Sequence, residues 1–397
     1  MSRPETRLSA AADRALIAAF FALLFLPLAD AVFELDPVPP MDENRTLAEA
    51  PGLPTSLDEL AAFPARFEAS FNDHFGFRNS LLRLHSLATV HAFGVSPTPM
   101  VAVGKDGWLF MATEELEYHR ADRPFSAQDL DAWQRALESR RDWLAQLGCR
   151  LLVVVVPNKS TIYPEHLPAS ARRLGAKTRL DQLVEHMHGR SDVALLDLRP
   201  ALLREKGPEA LYFKTDSHWN TLGAFVGYQE IVKALGRWFP ELEPLPRSSF
   251  RVRMRAVGAQ DLGKMVGVEG LFPETWFDLE RSSARRAAQA PTEMPRGLTH
   301  SPRKKTLYAT EVADPSLPRG VLFCDSFSTF FLGLLPEHFS RLVRFRSSYA
   351  VDPQALFEPA LIVKERPQVV ICEFAERFLL RPPPAVTVVG DSETPGM

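Results

Sequence analysis

Two short segments of the chain carry residue types that nucleophilic catalysis uses. Asp216 and His218 stand two positions apart, and Ser326 follows an apolar run much later in the chain. A serine hydroxyl is a weak nucleophile without a neighbouring base. On a non-helical backbone, residues two positions apart point to the same side, so Asp216 can hold one ring nitrogen of His218. The other ring nitrogen is then free to take the proton of Ser326, which predicts a Ser-His-Asp relay.

An acyl-transfer reaction of this kind also needs hydrogen-bond donors for the oxygen that becomes negatively charged. The backbone N–H of Ser326 is one candidate, and the side-chain amide of Asn158 is a second. Asp325 is the alternative acid for the relay. Its place directly beside the serine favours a hydrogen bond within the local turn instead.

The region around these residues alternates between strand-like and helix-like patterns. The predicted strands are 151–156, 193–196, 320–324, 342–346 and 369–373. Three helices are predicted. The first begins after Ser126 and ends at Gly148, the second spans about 177–188, and the third spans about 221–235 and ends at Gly236. Alternation of this kind predicts a mostly parallel sheet between helices. In such folds chemistry gathers at the carboxyl ends of the strands, where Asn158 and Ser326 fall.

Three further segments have simpler interpretations. A helix is predicted over 57–71, and two short β runs around Gly104 and Gly107 predict a hairpin rather than a phosphate loop. The Arg- and Lys-rich segment 281–305 is predicted to be a solvated loop, with attraction of an acidic polymer as the alternative. Trp108, Trp219 and Trp276 are predicted to pack in the core, with stacking on sugar rings as the alternative.

Composition limits the classes of function. The 397 residues carry a formal net charge of −3, which gives no indication of nucleic-acid binding. The three cysteines cannot all pair with one another, and buried reduced thiols are the expected state. No metal-binding spacing is present, and no cofactor is expected.

The N-terminal segment predicts export from the cytoplasm. Three arginines precede the apolar run 15–29, and acidic residues follow it, which places the rest of the chain outside the cytoplasm. Cleavage as a signal peptide and retention as a membrane anchor both remain open. The predicted organisation is a signal or anchor at 1–31, a linker and helical extension at 32–100, a catalytic domain at 101–385 and a tail at 386–397.

Short segments spread along the chain form an ordered series. They are 43–45 (ENR), 72–78 (NDHFGFR), 104–110 (GKDGWLF), 157–159 (PNK), 163–164 (YP), 215–220 (TDSHWN), 261–262 (DL), 325–328 (DSFS) and 373–377 (EFAER). Together these segments resemble the alginate O-acetyltransferase family (AlgJ/AlgX-like) and its DHHW-type relatives. The resemblance implies a permuted SGNH-hydrolase-like α/β fold of three layers. It implies that Asp216, His218 and Ser326 act together, with Ser326 accepting an acetyl group and passing it to a sugar hydroxyl.

The same resemblance implies partners and a location. The acceptor is an exported polysaccharide, alginate-like or another exopolysaccharide, and a membrane-bound acyltransferase supplies acetyl groups. The expected location is the periplasm, with the N-terminal segment as the link to the inner membrane. Two alternatives stay open: a carbohydrate esterase that uses the same residues, and a non-catalytic polysaccharide-binding scaffold of an export complex.

Overall fold

The computed structural model of this chain describes residues 6–39, 46–268, 270, 272–293, 307–346 and 352–385. The chain forms two compact units, one of residues 1–98 and 263–269 and one of residues 99–262 and 270–397. The family-like segment 43–45 and the predicted tail 386–397 lie outside the described residues.

The first unit contains three long helices: α1 (Thr6–Phe33), α2 (Leu57–Asp73) and α3 (Arg78–Phe93). Within the described ranges, one helix is long and apolar enough to cross a membrane, and it is the stretch Ala11–Phe33 of α1. Asp30 accepts hydrogen bonds from the backbone N–H of Asp36 at 2.5 Å and of Phe77 at 2.7 Å. These bonds join the end of α1 to the turn between α2 and α3.

The second unit is made of strands and helices that alternate along the chain. Its strands are β1 (Val101–Val103), β2 (Leu109–Met111), β3 (Arg150–Val156), β4 (Ala194–Asp197), β5 (Phe250–Val257), β6 (Glu274–Arg281), β7 (Ala288–Ala290), β8 (Leu307–Glu311), β9 (Arg319–Cys324), β10 (Arg341–Arg346) and β11 (Val369–Ala375). The helices that begin in it are α4 (Glu115–Arg120), α5 (Ala127–Gln146), α6 (Lys159–Ile162), α7 (Arg179–Met187), α8 (Arg199–Glu205), α9 (Thr221–Leu235), α10 (Asp261–Met265) and α11 (Pro359–Glu365).

Seven of these strands form one sheet in the order β4-β3-β11-β9-β10-β8-β7. The first five run parallel to one another, and β8 and β7 continue the sheet antiparallel at one edge. The predicted mostly parallel sheet is therefore confirmed. The predicted hairpin of β1 and β2 is also confirmed, and β5 pairs with β6 in a separate two-stranded sheet.

Each face of the large sheet has its own apolar core, because side chains alternate along a strand. Leu152, Val154 and Val156 of β3 belong to the core that α9 covers. Leu151, Val153 and Val155 belong to the core that α5 and α7 cover. Helices on both faces explain why β3 is an unbroken apolar run, and they make the three layers that the sequence predicted.

Several predicted elements agree with the structure closely. The helix predicted after Ser126 is α5, and Ser126 and Asp129 form the expected capping box. The prediction of a solvated loop over 281–305 is wrong at Arg281, which ends β6, and at 288–290, where β7 pairs with β8. Residues 294–305 of that segment lie outside the described residues. Of the tryptophans, Trp108 and Trp219 are buried as predicted. All three cysteines are free and buried.

Candidate active site

Ser326 lies directly beyond the carboxyl end of β9. It is the first residue of a 3₁₀ helix, Ser326–Phe331. The first N–H groups of a helix have no helical acceptor, so the Ser326 N–H is available to a bound group. Asp325 holds this turn, because its carboxylate accepts the N–H of Phe327 at 2.8 Å and of Ala375 at 2.9 Å. The carboxylate of Asp325 is thus engaged in the turn, as its position in the sequence suggested.

Asp216 and His218 lie in a closed loop, residues 213–218, which we call the Asp/His loop. Tyr212 and Trp219 close it by an isolated β-bridge. The loop is non-helical as predicted, but its backbone forms a turn rather than an extended segment. The Asp216 carboxylate accepts the backbone N–H of His218 at 3.0 Å. An aspartate commonly turns the chain in this way by bonding the backbone two residues ahead.

The structure brings Asp216, His218 and Ser326 together. Nδ1 of His218 lies 2.6 Å from Oδ1 of Asp216, and Nε2 of His218 lies 2.7 Å from Oγ of Ser326. The side chains of His218 and Asp216 are 16% and 11% exposed. A proton can therefore pass directly from the serine oxygen to the imidazole, whose other nitrogen is held by a carboxylate.

The electrostatics of this pair favour a charged imidazole. Burial by itself raises the pKa of Asp216, but its hydrogen bond to His218 and the charge of His218 outweigh burial and lower the pKa to about 2. Burial by itself lowers the pKa of His218. The hydrogen bond to Asp216 and the charges of Asp216 and Asp261 outweigh it, so the pKa of His218 is raised above 6.5.

Asp261 is a second carboxylate at the same imidazole. Its Oδ2 lies 3.8 Å from Nδ1 of His218, and its two oxygens accept the backbone N–H and the hydroxyl of Ser217, each at 3.0 Å. Partial burial and the negative charge of Asp216 raise the pKa of Asp261 to about 6. Spacing along the chain gave no role to Asp261, and only its place in the family-like series pointed to it.

Asn158 lies at the carboxyl end of β3 and is completely buried. Its Oδ1 is 3.5 Å from Nη1 of Arg377, and its Nδ2 has no hydrogen-bond partner among the described residues. The guanidinium of Arg377 in turn lies 5.2 Å from the ring centroid of Phe327, the residue after Ser326. A buried amide N–H without a partner is a donor that a bound oxygen can use.

Two buried glutamates accept hydrogen bonds from residues that follow the ends of β9 and β3. Glu373 accepts the N–H of Asp325 at 3.2 Å, and burial and the charge of Asp325 raise its pKa. Glu376 accepts the N–H of Asn158 at 2.8 Å and the hydroxyl of Thr161, and burial raises its pKa to about 7. Spacing along the chain gave neither of them a role, because each acts through a strand that is distant in the chain, and only the family-like segment 373–377 pointed to them.

The site also offers metal-ligating atoms, since Asp216, His218 and Asp261 bring one each within 4.8 Å of one another. Nδ1 of His218 is already hydrogen-bonded to Asp216, and a cation bound there would have to break that bond. The donor set therefore fits an oriented imidazole better than a metal centre.

Comparison with known proteins agrees with this fold. A family model described as "SGNH hydrolase-like domain, acetyltransferase AlgX" matches residues 101–376. A relative named probable alginate O-acetylase AlgJ, from Pseudomonas aeruginosa, is 29% identical over 331 residues, which is 79% of this chain and 78% of the relative. The protein of that name from Azotobacter vinelandii is 25% identical over 329 residues, with the same two shares.

Among solved structures, Bacillus cereus PatB1 with a sulfonyl adduct aligns with a TM-score of 0.52 at 14% identity. The alignment covers 72% of this chain and 96% of that one. At this identity the likeness concerns the fold alone. The description of the family model agrees with the predicted SGNH-hydrolase-like fold. The family model covers more than half of the chain and includes β1 through β11. This chain therefore belongs to the family of SGNH hydrolase-like, AlgX-type acetyltransferase domains.

Proposed function

We propose that this protein transfers acetyl groups to hydroxyls of an exported polysaccharide, with Ser326, His218 and Asp216 as its catalytic residues. The observation that carries the proposal is the unbroken hydrogen-bonded series from the Asp216 carboxylate through His218 to the Ser326 hydroxyl, at 2.6 and 2.7 Å. Family membership supports transfer to an acceptor over simple hydrolysis.

In the first half of the reaction, Nε2 of His218 takes the proton of Ser326 while Oγ attacks the carbonyl carbon of an acetyl donor. The imidazolium formed is stabilised by Asp216, which also keeps the ring in the orientation that leaves Nε2 free. The tetrahedral intermediate collapses, the donor's leaving oxygen takes the proton from Nε2, and the acetyl group remains on Ser326.

In the second half, a sugar hydroxyl attacks the acetyl-serine. Nε2 of His218 removes the hydroxyl proton, and the same proton returns to Oγ of Ser326 when the ester to the serine breaks. The oxygen that becomes negative in each half is bound by the N–H of Ser326 and by Nδ2 of Asn158 in this proposal. The loss of such a donor typically costs about 3 kcal/mol of transition-state stabilisation.

The relatives and the N-terminal helix support a proposed setting for the reaction. The relatives are named for alginate O-acetylation, so an alginate-like exopolysaccharide is the proposed acceptor. The apolar stretch Ala11–Phe33 fits a periplasmic protein made at the inner membrane, with residues 101–385 as the catalytic domain. A membrane-bound acyltransferase is the proposed source of acetyl groups.

The test is an incubation of the protein with an activated acetyl ester and an acidic oligosaccharide, followed by mass spectrometry. Acetylated oligosaccharide, with an acetyl adduct on Ser326 when the acceptor is left out, is the expected result. Ser326→Ala removes both signals and keeps the fold. Free acetate alone assigns the protein as an esterase. The absence of adduct and of either product assigns it as a scaffold and overturns the proposal.

A further inference from the structure

Lys159 is a completely buried cation that the proposed chemistry does not use. It is the first residue of α6, directly after the carboxyl end of β3, and none of its surface is exposed. An ammonium group carries three N–H donors and no acceptor. A buried ammonium is tolerated only when those donors are satisfied, since an isolated buried charge is very costly. The partners of Lys159 therefore indicate why the cation is there.

All three partners belong to the Asp/His loop. Nζ of Lys159 donates to the backbone carbonyls of Phe213 at 3.1 Å, of Lys214 at 3.1 Å and of Asp216 at 2.6 Å. The number of donors equals the number of carbonyls. The loop thus wraps around one ammonium group, and its shortest bond goes to the residue whose carboxylate holds His218.

The surroundings of Nζ leave it no other role. It lies 5.7 Å from the ring centroid of Trp108 and 5.1 Å from that of Phe110, so aromatic faces complete its environment. Burial lowers the pKa of Lys159, while the charges of Glu115 and Asp216 oppose that effect. With every N–H engaged and no exposure, the amine cannot reach an acyl group as a nucleophile.

We propose that Lys159 is a positioning residue that fixes the Asp/His loop from inside and so sets the distance between Asp216 and His218. The proposal rests on the proposed function of that pair. The physical reason is that a closed loop of six residues has no regular ladder to define it. Glu274 and Asp261 accept hydrogen bonds from Thr215 and Ser217 of this loop. The ammonium of Lys159 binds three of its backbone carbonyls together from inside. An active-site group displaced by about 1 Å costs on the order of 10²-fold in rate.

The test compares Lys159→Met with a matched control, Lys206→Met. Lys206 also donates to a backbone carbonyl, that of Ile162 at 2.7 Å, and lies 4.6 Å from the ring centroid of Tyr163, but it does not touch the loop. The acetylation rate of Ser326 and its KM for the activated ester are measured well below the melting temperature of each variant. Lys159→Met is expected to lower the maximal rate about 10²-fold and leave KM within about twofold. Lys206→Met is expected to keep both.

A second readout separates positioning from stability and does not depend on activity. The proton between Nδ1 of His218 and Oδ1 of Asp216, which lie 2.6 Å apart, is expected to give a low-field NMR signal in the wild-type protein. Asp216→Asn identifies that signal by its loss. In folded Lys159→Met this signal is expected to weaken or vanish. A folded Lys159→Met with wild-type rate and signal overturns the proposal.

Lys159→Gln and Lys159→Arg are made in case the Met variant does not fold. If every Lys159 variant fails to fold, or if folded ones lose only melting temperature, the residue is purely structural and the proposal is equally overturned. If the wild-type protein acetylates neither Ser326 nor a sugar, the proposed function fails. The NMR signal still decides whether Lys159 positions the loop.

Discussion

Replacing Asp261 by asparagine removes a negative charge 3.8 Å from Nδ1 of His218 and leaves Asp216 in place. The charge of Asp261 stabilises the imidazolium, so its loss lowers the pKa of His218. Two unit charges at this separation attract by about 1 kcal/mol in water and about 4 kcal/mol at a typical protein surface. The Asp261 side chain is 42% exposed, which places the attraction near the lower value.

At 3.8 Å in water the attraction is about 1.1 kcal/mol, which corresponds to about 0.8 pKa unit. Acylation of Ser326 requires neutral His218, so its rate falls as the pH is lowered through the pKa of His218. In the wild-type protein that midpoint is expected above 6.5, because the neighbouring carboxylates raise the pKa. In Asp261→Asn the midpoint is expected to move down by about 0.8 pH unit.

The assay is the rate of Ser326 acetylation by an activated ester between pH 5 and 9, with the plateau rate fitted separately from the midpoint. Asp314→Asn is the matched control, because that carboxylate bonds Ser316 in a surface turn. A midpoint that stays in place or moves to higher pH in Asp261→Asn refutes the electrostatic reasoning. A lower plateau alone shows disturbed geometry and no charge effect.

Three further variants test other parts of the structure. Asp216→Asn is expected to lower the acetylation rate by up to about 10⁴-fold, measured by single-turnover mass spectrometry, because an amide cannot hold His218 in the required tautomer. Gly227→Ala places a methyl group 2.7 Å from a ring carbon of Trp219. The overpacking cost of about 1–3 kcal/mol exceeds the helix-propensity gain of about 1 kcal/mol, so a urea titration is expected to show a lower free energy of unfolding. Burial raises the pKa of Glu376 from 4.5 to about 7. The free energy of unfolding of the wild-type protein is therefore expected to fall by about 3 kcal/mol as the pH rises between those values. Glu376→Gln is expected to lack that loss.

The meeting of Asp216, His218 and Ser326 could be predicted from the sequence for a physical reason. Strand 320–324 has the unbroken apolar pattern of a buried parallel strand, and the carboxyl ends of such strands share one edge of a sheet. A residue that follows β9 must therefore lie near the groups that gather at that edge. Asp216 and His218 needed only a short turn to face each other, and two residues of separation supply it.

The supporting residues could not be predicted, because their roles depend on how loops fold back in space. Lys159 donates hydrogen bonds to a loop more than 50 positions later in the sequence, and the hydrophobic periodicity of a sequence does not reveal such a contact. Asp261 reaches Ser217 across 44 positions. The strand β7 was missed because three residues, Ala288–Ala290, are too few to show an alternating pattern. β7 forms because it pairs with β8, and the intrinsic strand propensity of its three residues does not account for it.

The position of β11 in the sheet has a consequence for when this protein can work. Among the described residues β11 is the last strand along the chain, yet it lies between β3 and β9. The N–H of Ala375 at its end donates to the Asp325 carboxylate. Without β11 the sheet has a gap between β3, which precedes Asn158, and β9, which precedes Ser326. Under the proposed function, the hydroxyl of Ser326 is therefore expected to become reactive only after β11 has taken its place in the sheet.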